Sequence, residues 1–322
     1  MLLIKREVSH KQQVLEAIIR RLPAKDANYV YFEEMLRRTR AGLAGEQRVD
    51  EEWKEIEVNC PYYLLHNLEL LNDVGSTHQI DTLFICPYFA FVVEIKNIVG
   101  QIDFNEEFHQ FTRTTMEGKI DGFSNPFDQV QRHVRFLNNI FTKLNIKMPI
   151  VHAVISANRK TIMAHNLITQ EIFHVSGLSR KVEKFFQAHP EVCLDDKKLK
   201  YLVKRLKKMH NPKQWNPNLD SIKLQKGVLC PQCEFRNVMR YQRGKWYCDV
   251  CQRADNQAIY YALQDYRLLV DETISNSEFC AYCHIASSKA AYKKLLLLKL
   301  EQVGELKQRR YLIPKDIGGK SS

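Results

Sequence analysis

The sequence predicts an α/β core in its first half followed by two small modules, and three patterns say so. Short β-rich runs alternate with amphipathic helices between residues 41 and 160. Two tight cysteine pairs follow, separated by a strand-like linker, and the chain then ends in helical periodicity. The expected segments are 1–40 (helical), 41–160 (α/β core), 161–222 (helical connector), 223–258 (cysteine module) and 259–322 (α-rich tail).

Taken in order, HKQQVLEAIIRRL from His10 to Leu22 repeats apolar positions at helical spacing. A second helix is expected from Gly45 to Asn59. The Leu- and Tyr-rich segment YYLLHNLELLNDV ends in the turn residues Asn72, Asp73 and Gly75. QIDTLFICP and FAFVVEIKN follow as short strands joined by a turn containing Pro87. FAFVV is apolar without alternation, as in a central strand covered on both faces. Beyond Gly100 lies a polar stretch with short strands. Asn125-Pro126 opens a helix whose Val130, Val134, Leu137 and Phe141 share one face, and IVHAVIS is a further buried strand. A basic helix occupies Asp195 to Lys213, and Asn211-Pro212 and Asn216-Pro217 punctuate a domain boundary.

A length of 322 residues exceeds one typical domain, and 45% hydrophobic residues suffice for each segment to bury a core. Forty-eight Lys and Arg against 37 Asp and Glu give +11, a balance that attracts phosphates and other anionic surfaces. Nine cysteines are an odd count, against a complete disulfide set. No secretion-like leader and no bilayer-length apolar run is visible; Leu295–Leu298 is only four residues long. The expectation is a soluble cytoplasmic protein with no membrane partner.

Asp81 sits near the start of one strand, and Glu94 and Lys96 at the end of the next. Residues two apart on a strand face the same side, so Glu94 and Lys96 point together and Ile95 faces the opposite, apolar side. If the strands pair, two carboxylates converge, with the Ile95 carbonyl as a further oxygen. Such a site suits Mg²⁺. Lys96 would then orient a water or stabilise charge on a phosphate. A surface hairpin with solvated charges is the alternative, but these acids lie in the most apolar part of the segment, where unpaired charge is costly.

These residues resemble the nuclease-related domain (NERD) family of the PD-(D/E)xK phosphodiesterase superfamily. The resemblance covers roughly residues 40 to 155: Gly45-Glu46, Gln79-Ile80-Asp81, Glu94-Ile95-Lys96-Asn97, Gly100, and Asn125-Pro126 with Gln129 and His133. It implies a restriction-endonuclease-like mixed sheet flanked by helices. It implies Asp81 and Glu94 as ligands of Mg²⁺ or Mn²⁺, Lys96 as the catalytic lysine, Glu46 as an additional acid, and Gln79 and Gln129 as polar lining. Glu46 reads equally well as an acid in the first helical turn, favoured by the helix dipole. Gln129 lies off the apolar stripe of its helix, and His133 reads as a surface or packing residue. The function implied is a Mg²⁺-dependent nuclease acting on DNA. The alternative is a non-catalytic nucleic-acid-binding protein that uses the fold as a platform.

Cys230-Pro-Gln-Cys233 and Cys248-Asp-Val-Cys251 form two Cys-x2-Cys knuckles around a hairpin turning near Gly244. This is a zinc-ribbon pattern whose four thiolates fill a tetrahedral Zn²⁺ site, making it structural. Arg236, Arg240, Arg243 and Lys245 interleave with Tyr241, Trp246 and Tyr247, which suits phosphate contact and base stacking, or a solvated hairpin face. Cys280 and Cys283 read as small buried hydrophobes. In the tail, Ser275 or Asn276 and then Ser287 are candidate caps of two helices, and VGELKQRRYLI of a wing. That pattern resembles a winged helix-turn-helix, with nine Lys or Arg against three acids from Lys289 onward.

Overall fold

A computed structural model of the chain describes residues 2–164, 166–167, 171–305 and 308–318. Two compact units emerge: Met1–Val8 with Thr39–Lys213, and Ser9–Arg38 with Gln214–Ser322. In chain order the elements up to the boundary are β1 (Leu2–Ile4), α1 (His10–Arg21), α2 (Tyr29–Lys54), β2 (Tyr63–Leu71), β3 (Thr77–Ile85), β4 (Ala90–Lys96), β5 (Gly100–Asn105), β6 (Gln110–Thr114), β7 (Ile120–Phe123), α3 (Pro126–Lys143), β8 (Ile150–Ser156), β9 (Thr161–Met163), β10 (Ile172–His174), α4 (Leu178–Ala188) and α5 (Asp196–Met209).

The first unit is built on a mixed six-stranded sheet in the order β1-β2-β3-β4-β8-β10. Strands β2, β3 and β4 form an antiparallel meander, and β4 pairs in parallel with β8 across the crossover that contains α3. Both faces of the central strands are covered, which explains their unbroken apolar runs. Leu83, Ile85, Ala90 and Val92 pack with Val130, Leu137 and Phe141 of α3 and Leu199 and Leu202 of α5. Phe84, Phe91, Val93 and Ile95 face the other way, onto Val49 and Trp53 of α2 and Leu178 and Val182 of α4. Trp53 lies flat on Phe84, ring centroids 5.3 Å apart. The polar stretch after Gly100 forms a second sheet, β7-β6-β5-β9. Asn125 caps α3 through its side chain, with Pro126 in the first turn.

Helix α2 departs from the expected Gly45–Asn59. It begins at Tyr29 and ends at Lys54. Its early part hides the helical signal because Tyr29–Phe32 is an unbroken apolar run rather than a stripe: Phe32 and Leu36 are buried while Val30 and Tyr31 are exposed. Glu34 pairs with Arg37 and Arg38 one turn away on the exposed side.

The second unit contains α1 and a hairpin of β11 (Arg240–Gln242) and β12 (Lys245–Tyr247), turning at Arg243-Gly244, both at positive φ. Then come α6 (Ala258–Leu269), β13 (Thr273–Ser275), α7 (Asn276–Cys283), α8 (Ser288–Leu297), β14 (Glu301–Val303) and β15 (Arg310–Leu312). The last three strands form a sheet in the order β13-β15-β14. Ser275 caps α7 in a reciprocal box with Glu278, and Ser287 caps α8. Residues 306–307 of the expected wing lie outside the described residues. Trp246 and Met239 share one core with Ala262, Leu263, Phe279 and Tyr311. Among the described residues no helix is long and apolar enough to cross a membrane.

Candidate functional site

The β3–β4 ladder stops at Thr82–Val93. One residue beyond, Asp81 turns its carboxylate onto the backbone N–H of Ile95, which donates to Oδ2 at 2.7 Å. The side chain thus satisfies a backbone donor that the ladder has released. On its other side the β2–β3 register passes from His66–Thr82 to Leu68–Ile80, and Asn67 between them has a φ of 47°. The Asp81 carbonyl accepts from Arg6 Nη2 at 3.0 Å. Backbone groups alternate direction along a strand. Ala157 N–H donates to the Lys96 carbonyl from the β8 side, so the Ile95 carbonyl faces the parting of β3 and β4, as does its N–H.

Glu94 and Lys96 share the α3 face. Lys96 Nζ donates to Glu94 Oε1 at 2.6 Å and to Gln129 Oε1 at 3.3 Å, and Gln129 Nε2 donates to Glu94 Oε2 at 2.9 Å. Gln129 is therefore a member of this network rather than a solvated residue. Glu94 is 2% exposed and Asp81 9%. Burial pushes the Asp81 carboxyl well above the usual range, and the negative charges of Glu94 and Glu46 add to this; the Ile95 N–H and Lys96 oppose it. Burial also raises Glu94, with Lys96 working against it. Buried oxygens this reluctant to carry charge suit a divalent cation, which would reverse both shifts.

Glu46 lies well inside α2 and not in a first turn, so the helix-dipole reading of it fails. It reaches the acids because α2 crosses the end of β4 closely at Gly45: a Cβ there would stand 2.5 Å from that of Asn97. Asn97 fixes this crossing, donating to the Ala41 carbonyl at 2.6 Å and accepting from Arg48 at 3.1 Å and Asn158 at 2.8 Å. Gly100 has a comparable role beyond β4, with a φ of 112° and the Thr114 carbonyl 2.4 Å from where a Cβ would be. Gln79 is exposed, two residues from Asp81 on β3, and lies outside the hydrogen-bonded network. His133 is buried against His78, ring nitrogens 3.2 Å apart, and burial lowers it to about 4.

Arg6 carried no signal in the sequence, because nothing local marks it. Its side chain is 3% exposed and binds Glu46 Oε2 (2.6 Å), Asp50 Oδ2 (2.7 Å), Asn67 Oδ1 (2.8 Å) and Thr82 Oγ1 (2.9 Å) besides the Asp81 carbonyl. It fixes the carboxylate of Glu46 and the backbone of Asp81 at once.

In the second unit the sulfurs of Cys230, Cys233, Cys248 and Cys251 all lie within 4.8 Å of one another. Cys230–Cys251 and Cys233–Cys248 are each 3.7 Å apart. A tetrahedral zinc with Zn–S bonds of about 2.3 Å needs sulfur separations of about 3.8 Å. Burial pushes Cys230 up to about 12, whereas Cys248, also raised by burial, is drawn down to about 7 by the backbone N–H groups of Cys251 and Val250. Four thiols so close ionise together only around a cation. The hairpin does not offer Trp246 for base stacking: the ring is fully buried with Tyr241 against it, and Arg236 and Arg240 pair with Glu234 and Asp249.

An uncharacterized protein of Bacillus anthracis is 27% identical over 146 residues, covering 45% of this chain. The match spans 66% of that relative, just under two thirds of its length. No solved structure matches the chain. The family whose pattern does match is described as nuclease-related domain, and its match runs over residues 41–157, from inside α2 to the end of β8 and with Glu46, Asp81, Glu94, Lys96 and Gln129 all inside it.

Proposed function

We propose that the first unit is a metal-dependent phosphodiesterase centre of PD-(D/E)xK type, on a restriction-endonuclease-like sheet, acting on nucleic acid and in the first instance on DNA. The observation that carries this reading is the buried Asp81–Glu94–Lys96 arrangement at the point where β3 and β4 part. Asp81, Glu94 and the Ile95 carbonyl would hold Mg²⁺ or Mn²⁺, with Glu46 in support. When bound, the ion lowers the pKa of water and neutralises phosphate charge. Lys96 donates to the scissile phosphate or the attacking water, and Gln129 holds Glu94 and Lys96 in register. Gln79 lines the approach on the same face of β3 as Asp81. Water attacks phosphorus, the P–O bond to the leaving oxygen breaks, and a proton ends on that oxygen.

The four-cysteine cluster would hold structural Zn²⁺, which calls for reduced thiols and so suits the cytoplasm. The order α6-β13-α7-α8-β14-β15 supports a winged-helix reading of the tail, in which α8 with Lys289, Lys293 and Lys294 approaches DNA. The test is cleavage of labelled single- and double-stranded DNA and of RNA with Mg²⁺ or Mn²⁺. Cutting lost in both Asp81→Ala and Lys96→Ala is the expected result. Salt-sensitive binding without cutting in the wild type would replace the enzyme by a binding platform.

A further inference from the structure

A cleft of about 480 Å³ opens in the first unit between α3, α5 and the β2–β3 turn. That volume is in the range of small-ligand pockets, roughly 300–1,000 Å³. Its walls carry Arg132, Arg135 and Arg205, none of which has a carboxylate partner among the described residues. Its one lining acid, Asp73, is held by Lys143 at 2.7 Å. Phe136 and His78 stack in its wall, ring centroids 4.0 Å apart and nearly parallel.

The cleft is continuous in sequence with the acid network. Gln129, Arg132, Phe136, Asn139 and Lys143 recur three and four residues apart on α3, so they form one stripe along the helix. At 1.5 Å rise per residue, Arg132 stands about 5 Å along the axis from Gln129, and the whole stripe from Gln129 to Lys143 covers about 20 Å. Gln129 touches Glu94 and Lys96; one turn on, the stripe becomes cationic and aromatic. Arg132 is near enough to the acids to act on Glu94.

We propose that this cleft is a binding track for a single polynucleotide strand, taking the phosphates that flank the scissile one. The unpartnered arginines face the phosphates, and the Phe136–His78 stack offers a flat surface to a base. The track rests on the phosphodiesterase reading for its purpose, but not for its measurement.

The experiment uses the full chain, without added Mg²⁺, and follows binding of a short fluorescent single strand by anisotropy across a salt series. The perturbation is Arg135→Gln with Arg205→Gln; both residues are exposed and lie outside the catalytic network. The control is Arg180→Gln with Lys184→Gln on α4, equally exposed and equal in charge removed. The double arginine variant should weaken binding and lower the slope of log K against log salt by about 1.4, at ~0.7 per phosphate contact on a single strand. The control should leave both unchanged. An unaltered slope in the arginine variant, an equal loss in the control, or displacement of the strand by polyglutamate as readily as by unlabelled strand would each overturn the track. If the wild type never cuts but the arginine variant alone loses binding, the phosphodiesterase reading falls and the track stands. If it cuts and the arginine variant binds as before, the reverse holds.

Discussion

Replacing Arg6 by Met should loosen the first unit around the acid cluster, and the size of the effect follows from its partners. The Arg6 side chain is 3% exposed, and the side chains of Glu46 and Asp50 are 20% and 18% exposed. Removing one member of a buried ion pair costs about 3–5 kcal/mol, because the other charge stays buried and unpaired. Water reaches these two carboxylates in part, which places the cost near the lower figure, about 3 kcal/mol. At ~1.4 kcal/mol per decade that is about a hundredfold in an opening equilibrium. Two units need not unfold as one transition, so a global melting curve is the wrong reading. Amide hydrogen exchange on peptides from β2 and β3 isolates the region. Their protection should fall about a hundredfold in Arg6→Met. It should fall less in Arg6→Lys, which keeps the charge but loses the fork that spans Glu46, Asp50 and Thr82. Adding Glu46→Gln and Asp50→Asn to Arg6→Met should restore part of the loss, since no buried carboxylate is then left unpaired. Wild-type protection of β2 and β3 in Arg6→Met would refute this account of the cluster.

Two further outcomes are expected. The protein should carry one zinc per chain, and chelation or Cys230→Ser should expose Trp246 and shift its emission to longer wavelength; a buried Trp246 spectrum in the metal-free protein would sink the structural-zinc reading. Burial holds His133 at about 4, below its ordinary 6.5, so between those values the unfolded chain takes up a proton that the folded one refuses. Stability of the first unit should therefore decline as pH falls from 6.5 toward 4; an NMR titration placing His133 near 6.5 would contradict the burial.

What the sequence disclosed, and what it withheld, follow the range of each interaction. Asp81, Glu94 and Lys96 were legible because strand alternation is local and the two strands adjoin. The four cysteines were legible because knuckle spacing is itself the chemistry. Gln129 was ambiguous: a helical wheel shows that it leaves the apolar stripe, not that Glu94 and Lys96 wait across the gap. Glu46 stayed open between two readings because α2 starts at Tyr29, where the unbroken apolar run Tyr29–Phe32 shows no helical stripe. Arg6 was invisible, since its partners lie between 40 and 76 residues away. Trp246 misled because alternating aromatic and basic residues describe a hairpin without saying which of its faces meets α6.

The acid cluster and the basic stripe pose one electrostatic problem when taken together. In the proposed function, carboxylates that hold a metal would also repel the phosphate that approaches it. Arg6 takes up Glu46 and Asp50, and Lys96 sits within the cluster, but neither presents an extended cationic surface to a polyanion. Placing more cations among the acids would quench their affinity for a metal, and placing them far away would lose the attraction to screening, which sets in over about 8–10 Å. Helix α3 meets both demands through its periodicity. Gln129 enters the cluster as a neutral group that holds Glu94 and Lys96, and Arg132 begins the stripe one turn later, about 5 Å along the axis. That separation lies inside the screening distance. In the proposed function, the same helix face would steady the acids at one end and draw the strand toward them along the rest.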